Sequence, residues 1–475
     1  MQLKKRRRGN VRKSLARISA GLLAAALPPL AGQAAAQSYY DDASGTRNDN
    51  FGPGFTYSQL DAALLVYQEA GGRVGAIEPT ANLSMHAADG RQLSIGGVAD
   101  SVSGATPNGA VPSNLPQNFV TPIKAQGSST SVTSASGGST IIKLPPTPGQ
   151  LATAALGRQY TVPANTLPMD KGFHDHRAAL NGAWAQPLGG ITEIGVGAGY
   201  SRESDYQSIT ANTHLSQNFN ANNTTMSLSL NSEFDSSFPF GGIPTPLSVM
   251  NAQWKTQSTR DKTQLGFVLG LTQVMTRSWL TQFNYAFDQQ SGYQNDPYRI
   301  VSVVDPASGV PTQSLYENRP QSRQSNSFYW DNKLDLGPTV TDLSLRYFTD
   351  SWGIKSVTAD LAERLNLGSA FYVEPSARYY HQSAAIFFHS YLVGGQALPA
   401  YATSDSRLGS FTGTTFGAKL GWILSKRSEF YVKGEYYAQS GNSHPAGAIG
   451  QLKQQDLFPK TSAAIAFIGY SWDFH

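Results

Sequence analysis

The sequence predicts an all-β chain folded as a transmembrane antiparallel up-and-down β-barrel of about 16 strands, with 14 to 18 compatible with the pattern. Three observations carry that expectation. Long segments alternate apolar and polar residues with a period of two, short and long connections fall on opposite parities, and the C-terminus alternates aromatic residues.

Before the barrel, residues 1–36 read as an export signal. Lys4, Lys5, Arg6, Arg7, Arg8, Arg12, Lys13 and Arg17 form a basic region, Ile18 to Leu27 an apolar run, and Ala34-Ala35-Ala36 a small-residue cleavage site. A retained anchor needs about 20 apolar residues, and this run is shorter and followed by Pro28-Pro29. Eight of the 36 Lys and Arg lie in this segment with no acidic residue, leaving 28 against 32 Asp and Glu, a charge of about −4. The apparent basicity is therefore an address label, and no nucleic-acid partner is expected. Residues 37–56 are read as an N-terminal periplasmic segment and 57–475 as the barrel. With no cysteine, disulfides and thiolate chemistry are excluded. Beyond the signal no run of 18 apolar residues occurs, so helical spans are excluded as well.

The expected strands run over 57–68, 73–87, 91–102, 173–185, 190–202, 206–219, 223–235, 262–275, 278–291, 324–336, 339–350, 354–367, 370–384, 410–424, 428–440 and 460–474. In 224–234, Met226, Leu228 and Leu230 oppose Ser227, Ser229, Asn231 and Glu233. In 262–275, Leu265, Phe267, Leu269 and Leu271 oppose Gln264, Gly266 and Gly270. The segments 370–380, 411–424 and 428–438 divide in the same way, with Glu374, Arg378, Lys419, Lys433 and Glu435 on the polar face. A soluble sandwich alternates too, but its strands average about 5–6 residues, whereas these suit a tilted membrane crossing of about 9–11 or more. Tight links at 88–90, 187–189, 220–222, 276–277, 337–338, 368–369 and 425–427 share one parity, and long ones near 103–172, 236–261, 292–323, 385–409 and 441–459 share the other. That is the two-rim pattern of membrane barrels. At the end, Ile468, Tyr470, Trp472 and Phe474 share a face, although the last residue is His475. Tyr470, Trp472 and Phe474 are the candidate signal for outer-membrane insertion machinery, and a soluble edge strand would leave this apolar edge unprotected.

Several stretches also resemble a known family, the outer-membrane proteins grouped as a conserved domain of unknown function in Gram-negative bacteria. They are Asp100 to Pro107 (DSVSGATP), Phe173 to Pro187 (FHDHRAALNGAWAQP), Ser204 to Asp235 with SDYQS and NNTT, Tyr316 to Arg323 (YENRPQSR), and Leu345 to Leu361 around DSWGI. The resemblance implies a barrel precursor and supplies no catalytic residues.

Chemistry is sparse. His174-Asp175-His176 puts two imidazoles on one face about 7 Å apart, but that face is the lipid one, and neither a metal nor a cofactor is expected. The other histidines, His86, His214, His381, His389 and His444, have no serine at an interpretable spacing, so enzymatic activity, a barrel-borne lipid hydrolase included, is not expected. The alternation points Asp175, Arg177, Glu193, Glu233, Asp342, Arg346, Asp360, Arg364, Glu374, Arg378, Lys419, Lys433 and Glu435 into the lumen as pore candidates. They read either as structural ion pairs or as a solute-selecting ring. Glu363, on the outer face, is an exception without explanation. Residues 103–172, rich in Ser, Thr, Gly and Pro, have Ser139 to Leu144 as their strand-like piece and are expected as a partly ordered loop at the mouth or a plug. The expected function is an outer-membrane solute channel or transport component, with a filled-lumen anchor or assembly protein as the alternative. Expected partners are outer-membrane lipid, the insertion machinery, a small solute, and further copies of the chain by analogy with porin trimers.

Overall fold

The computed structural model describes residues 54–123, 139–143, 156–250, 255–458 and 460–474. The expected export signal and nearly all of 37–56 lie outside them. Sixteen antiparallel strands close on themselves: β1 (Phe55–Glu69), β2 (Gly75–Ala87), β3 (Gln92–Pro107), β4 (Met169–Leu188), β5 (Thr192–Arg202), β6 (Tyr206–Phe219), β7 (Thr224–Ser237), β8 (Arg260–Thr276), β9 (Trp279–Gly292), β10 (Ser322–Asp335), β11 (Thr339–Asp350), β12 (Lys355–Leu367), β13 (Phe371–Gln382), β14 (Phe411–Ser425), β15 (Ser428–Gly441) and β16 (Thr461–Phe474). Each pairs with the next in sequence, and β1 pairs with β16 from Ser58↔Phe474 to Glu69↔Ala463. That last pairing removes both sheet edges, which a lipid environment demands because it offers no hydrogen bonds to free backbone groups.

Alternation along the strands decides what faces out. Leu64 and Val66 on β1, Ile77 on β2, Leu180 on β4, Val196 on β5, Leu230 on β7, Phe328 on β10 and Phe416 on β14 are all apolar and exposed. The intervening positions are polar, so one wall surface suits hydrocarbon and the other suits water. Two tryptophans sit within this outer surface because the wall satisfies their N–H groups. The Trp330 indole donates to Thr281 Oγ1 at 3.1 Å and that of Trp279 to Asn332 Oδ1 at 3.2 Å. Glu363, anomalous in the sequence, accepts the Thr341 hydroxyl at 2.6 Å across the β11–β12 pair. On the inner surface two aromatic rings lie flat on facing glycines. A Cβ on Gly421 would come 2.1 Å from the Tyr372 ring, and one on Gly469 2.2 Å from that of Tyr431.

Differences from the sequence expectation gather at the loop rim. β3 continues through a bulge at Gly104/Thr106 as far as Pro107↔Met169, so the long connection there begins five residues later than expected. Beside the expected Ser139 to Leu144 piece, two further strands form within it, Gln117–Ile123 and Leu156–Val162. Gln117–Ile123 and Ser139–Lys143 flank Leu156–Val162 in a small antiparallel sheet. Pro122 and Gly157 masked the strand pattern there.

Because Leu230 is outward and exposed in the middle of β7 while Asn231 is inward, Leu230→Arg should cost about 2–4 kcal/mol in denaturant titrations of barrel refolded into vesicles. Asn231→Arg should cost far less.

Candidate functional site

The inner wall holds all thirteen pore candidates, each on the face opposite the exposed apolar side chains. Several meet partners. Lys433 Nζ lies 2.6 Å from Glu435, Arg378 3.6 Å from Asp360, and Asp342 3.0 Å from Lys333. Arg177 contacts Asp100 at 2.5 Å and Glu78 at 3.4 Å. Lys333, Asp100 and Glu78 join the candidates on the inward face, which alternation marks, and cross-strand register reveals them as the partners. Arg364 sits 3.6 Å over the Tyr372 ring, and Lys419 lies between Tyr372 and Tyr431 at 5.4 and 4.4 Å. Glu374 is opposite Lys419 in the β13–β14 register, and Arg346 donates to Ser327 Oγ at 2.9 Å. Although they face inward, the Arg378 and Asp360 side chains are 52% and 42% exposed, so no neighbouring side chain fills the lumen against them halfway along β12 and β13.

One histidine meets a serine at a spacing that the sequence does not make interpretable. His214 Nδ1 is 2.9 Å from Ser229 Oγ across β6–β7. Fifteen residues apart, they are brought opposite by register alone. The described hydrogen bonds give this imidazole no carboxylate to orient it, the third member that a nucleophilic triad uses.

Over the loop rim the long connections fold together into a cap with its own apolar core. Ile300–Val304 runs antiparallel to Pro311–Tyr316 and parallel to Leu392–Val393. Residues 108–113, from the β3–β4 connection, thread through this assembly. Val111 N donates to Ser302 Oγ at 3.1 Å, Ser404 Oγ donates to Gly109 O at 2.7 Å, and Asn114 N donates to Gln451 Oε1 at 3.1 Å. Val301, Val304, Ala402 and Leu452 are fully buried there. The β9–β10 connection also reaches the far rim, where Arg299 donates to the Pro107 carbonyl and Tyr298 to Asp205. Segments from opposite sides therefore meet across the mouth.

Ions lock this cap. Arg319 lies 2.7 Å from Glu317 and 2.9 Å from Asp405, whose side chains are each 1% exposed. Arg407 grips Asp405 at 2.6 Å and reaches Asp296 at 3.3 Å, and Arg299 joins Asp296 at 3.3 Å. Thr403 Oγ1 donates to Glu317 at 2.6 Å. Burial works against charge on both acids, with opposite outcomes. Glu317 is pushed upward despite Arg319, whereas Arg407, Arg299 and Arg319 hold Asp405 well below the usual carboxylate range.

A second acidic group lies at the rim. Asp175, Glu203 and Asp205 each place an oxygen within 4.8 Å of the others, a donor set that suits a hard divalent cation. It forms at Asp175, the residue between His174 and His176. Those imidazoles stay on the outer face, with His174 Nδ1 tied to Gly172 O at 3.2 Å. Burial, reinforced by Asp175, pushes Glu203 up to about 7.

Removing Arg319 leaves two carboxylates buried without their shared cation. Arg319→Met should loosen the cap by about 3–5 kcal/mol, read as faster proteolysis within 293–321 and 383–410 while the barrel keeps its heat-modifiable gel mobility. Since the folded value of Glu203 is raised, its stabilising contribution is complete below the ordinary carboxylate range and is lost as pH rises through about 7. Hydrogen exchange in the 203–206 turn, corrected for intrinsic rate, should be faster at pH 8 than at pH 5, and Glu203→Gln should abolish that dependence.

A model of the family described as "Protein of unknown function (DUF3570)" matches residues 21–472. No curated protein matches the chain. Among solved structures, the siderophore receptor PirA from Pseudomonas aeruginosa is similar at 10% identity over 87% of this chain and 62% of that one, with a TM-score of 0.38. A bacterial polysaccharide outer membrane secretin is similar at 7% identity over 88% and 98%, with a TM-score of 0.42. The outer membrane protein opdK from Pseudomonas aeruginosa is similar at 8% identity over 88% and 99%, with a TM-score of 0.37. The chain thus spans 62% of the length of the PirA receptor.

Proposed function

The chain belongs to the DUF3570 family of proteins of unknown function, and from that premise we propose that it is an outer-membrane solute channel whose loop-side mouth is covered by a folded cap. The observation that carries this reading is the water-exposed Asp360–Arg378 pair on the inner wall. A lumen filled by side chains would bury such a pair, and a barrel of sixteen strands is wide enough to keep an aqueous interior. The cap accounts for the length of the five long connections, and the ion network at Glu317, Arg319 and Asp405 holds it over the mouth. The outward Tyr470, Trp472 and Phe474 of β16 serve insertion into the outer membrane, and the tight-turn rim faces the periplasm.

Pro107 pairs directly with Met169, so residues 108–168 can be replaced by a short Gly/Ser turn without disturbing β3 or β4. In planar bilayers the full chain should give small or infrequent steps, and the shortened chain larger, salt-dependent ones. If the shortened protein, shown to be folded by heat-modifiable mobility, carries no current, the channel reading fails and the anchor reading replaces it.

A further inference from the structure

Charge is shared unevenly around the lumen. On β1 to β7 the inward positions carry eight carboxylates, two each on β1 and β7 and one on each of β2 to β5, with Arg177, two residues from Asp175 on β4, the single Lys or Arg among them. Two further bases reach this wall from outside it, Arg73 to Glu69 at 3.2 Å and Lys262 to Asp235 at 2.8 Å. Three bases therefore serve eight acids. On β8 to β16 nine inward bases, Lys262 among them, stand against ten carboxylates, so this side of the wall is nearly balanced.

The imbalance persists halfway along the strands. Measured from the tight-turn ends, Asp61, Glu78, Asp100 and Glu233 lie six to nine residues in, and Arg346, Asp360 and Arg378 seven. Strands β1 to β3 stand well round the barrel from β11 to β13, so an acidic surface looks across water at one carrying two arginines. Low-dielectric walls focus such a field into the aqueous path, and rings of Asp and Glu are how cation pores select.

Resting on the channel reading above, we infer that the lumen passes cations and positively charged solutes in preference to anions, with the inner surface of β1 to β7 as their track. A potential of a few kT in the lumen corresponds to about a tenfold preference, and screening over a Debye length of about 10 Å at 0.1 M makes it fall as salt rises.

The test is the reversal potential of the full chain, and of the 108–168 linker variant, in planar bilayers under a tenfold KCl gradient. The expected sign is that of potassium permeation, with the ratio shrinking at high salt. Asp61→Asn/Glu78→Gln/Glu233→Gln should move the ratio toward unity while heat-modifiable mobility is kept. Should that triple variant not fold, Glu193→Gln alone should lower the ratio by a smaller factor. An unselective or anion-selective current from the unmutated wall overturns the inference and leaves the channel standing. Selectivity undiminished in the folded variants overturns the assignment to β1–β7. Absence of current from both folded proteins overturns the channel reading, and this inference with it.

Discussion

The pairing of β1 with β16 is the contact on which the rest of the molecule depends. Twelve residue pairs, from Ser58↔Phe474 to Glu69↔Ala463, turn a sheet with two bare edges into a wall without any. In hydrocarbon an unpaired backbone amide or carbonyl costs several kcal/mol, so an open sheet of this length could not stay in a bilayer. Closure also fixes the meaning of every other position. Once the wall is continuous, alternate side chains have only two destinations, and the apolar set at Leu64, Val66 and Ile468 is committed to lipid while Asp61 and Ser471 are committed to the interior.

Closure leaves a problem of packing. A wall of sixteen strands is too wide for its side chains to meet in the middle, so it has no apolar core. The cap supplies one, at Val301, Val304, Ala402 and Leu452, and anchors it with buried ions rather than more hydrocarbon. Such ions contribute little net stability compared with apolar packing, but mismatched charges buried at this depth are strongly disfavoured. Arg319, between Glu317 and Asp405, accordingly selects one arrangement of the two connections that carry them.

Most of the barrel was legible in the sequence because a strand writes itself locally. A period of two over a dozen residues, as in Thr224–Ser237, needs no distant information, and the parity of short and long links carries the count. The inward direction of residues such as Arg378 and Glu435 follows from the same alternation. Their partners do not. That Arg177 binds Asp100 and Glu78, or that His214 meets Ser229, depends on register between strands, which alternation leaves undetermined. The cap was least legible. Its strands are short and interrupted by Pro122 or Gly157, and its ion network joins Asp296, Glu317 and Asp405 from two connections, whose charges look like ordinary solvated loop residues.

The threading of residues 108–113 through the cap sets an order on assembly. Val111 binds a serine 191 positions further along the chain, Gly109 accepts from one 295 positions on, and Asn114 donates to a glutamine 337 positions on. This short run emerges from the ribosome long before anything exists to bury it, and its last partner lies between the two final strands. The lid is thus complete only when the connection ahead of β16 is in place, and a chain cut before Gln451 would present a mouth that its lid cannot fully fasten.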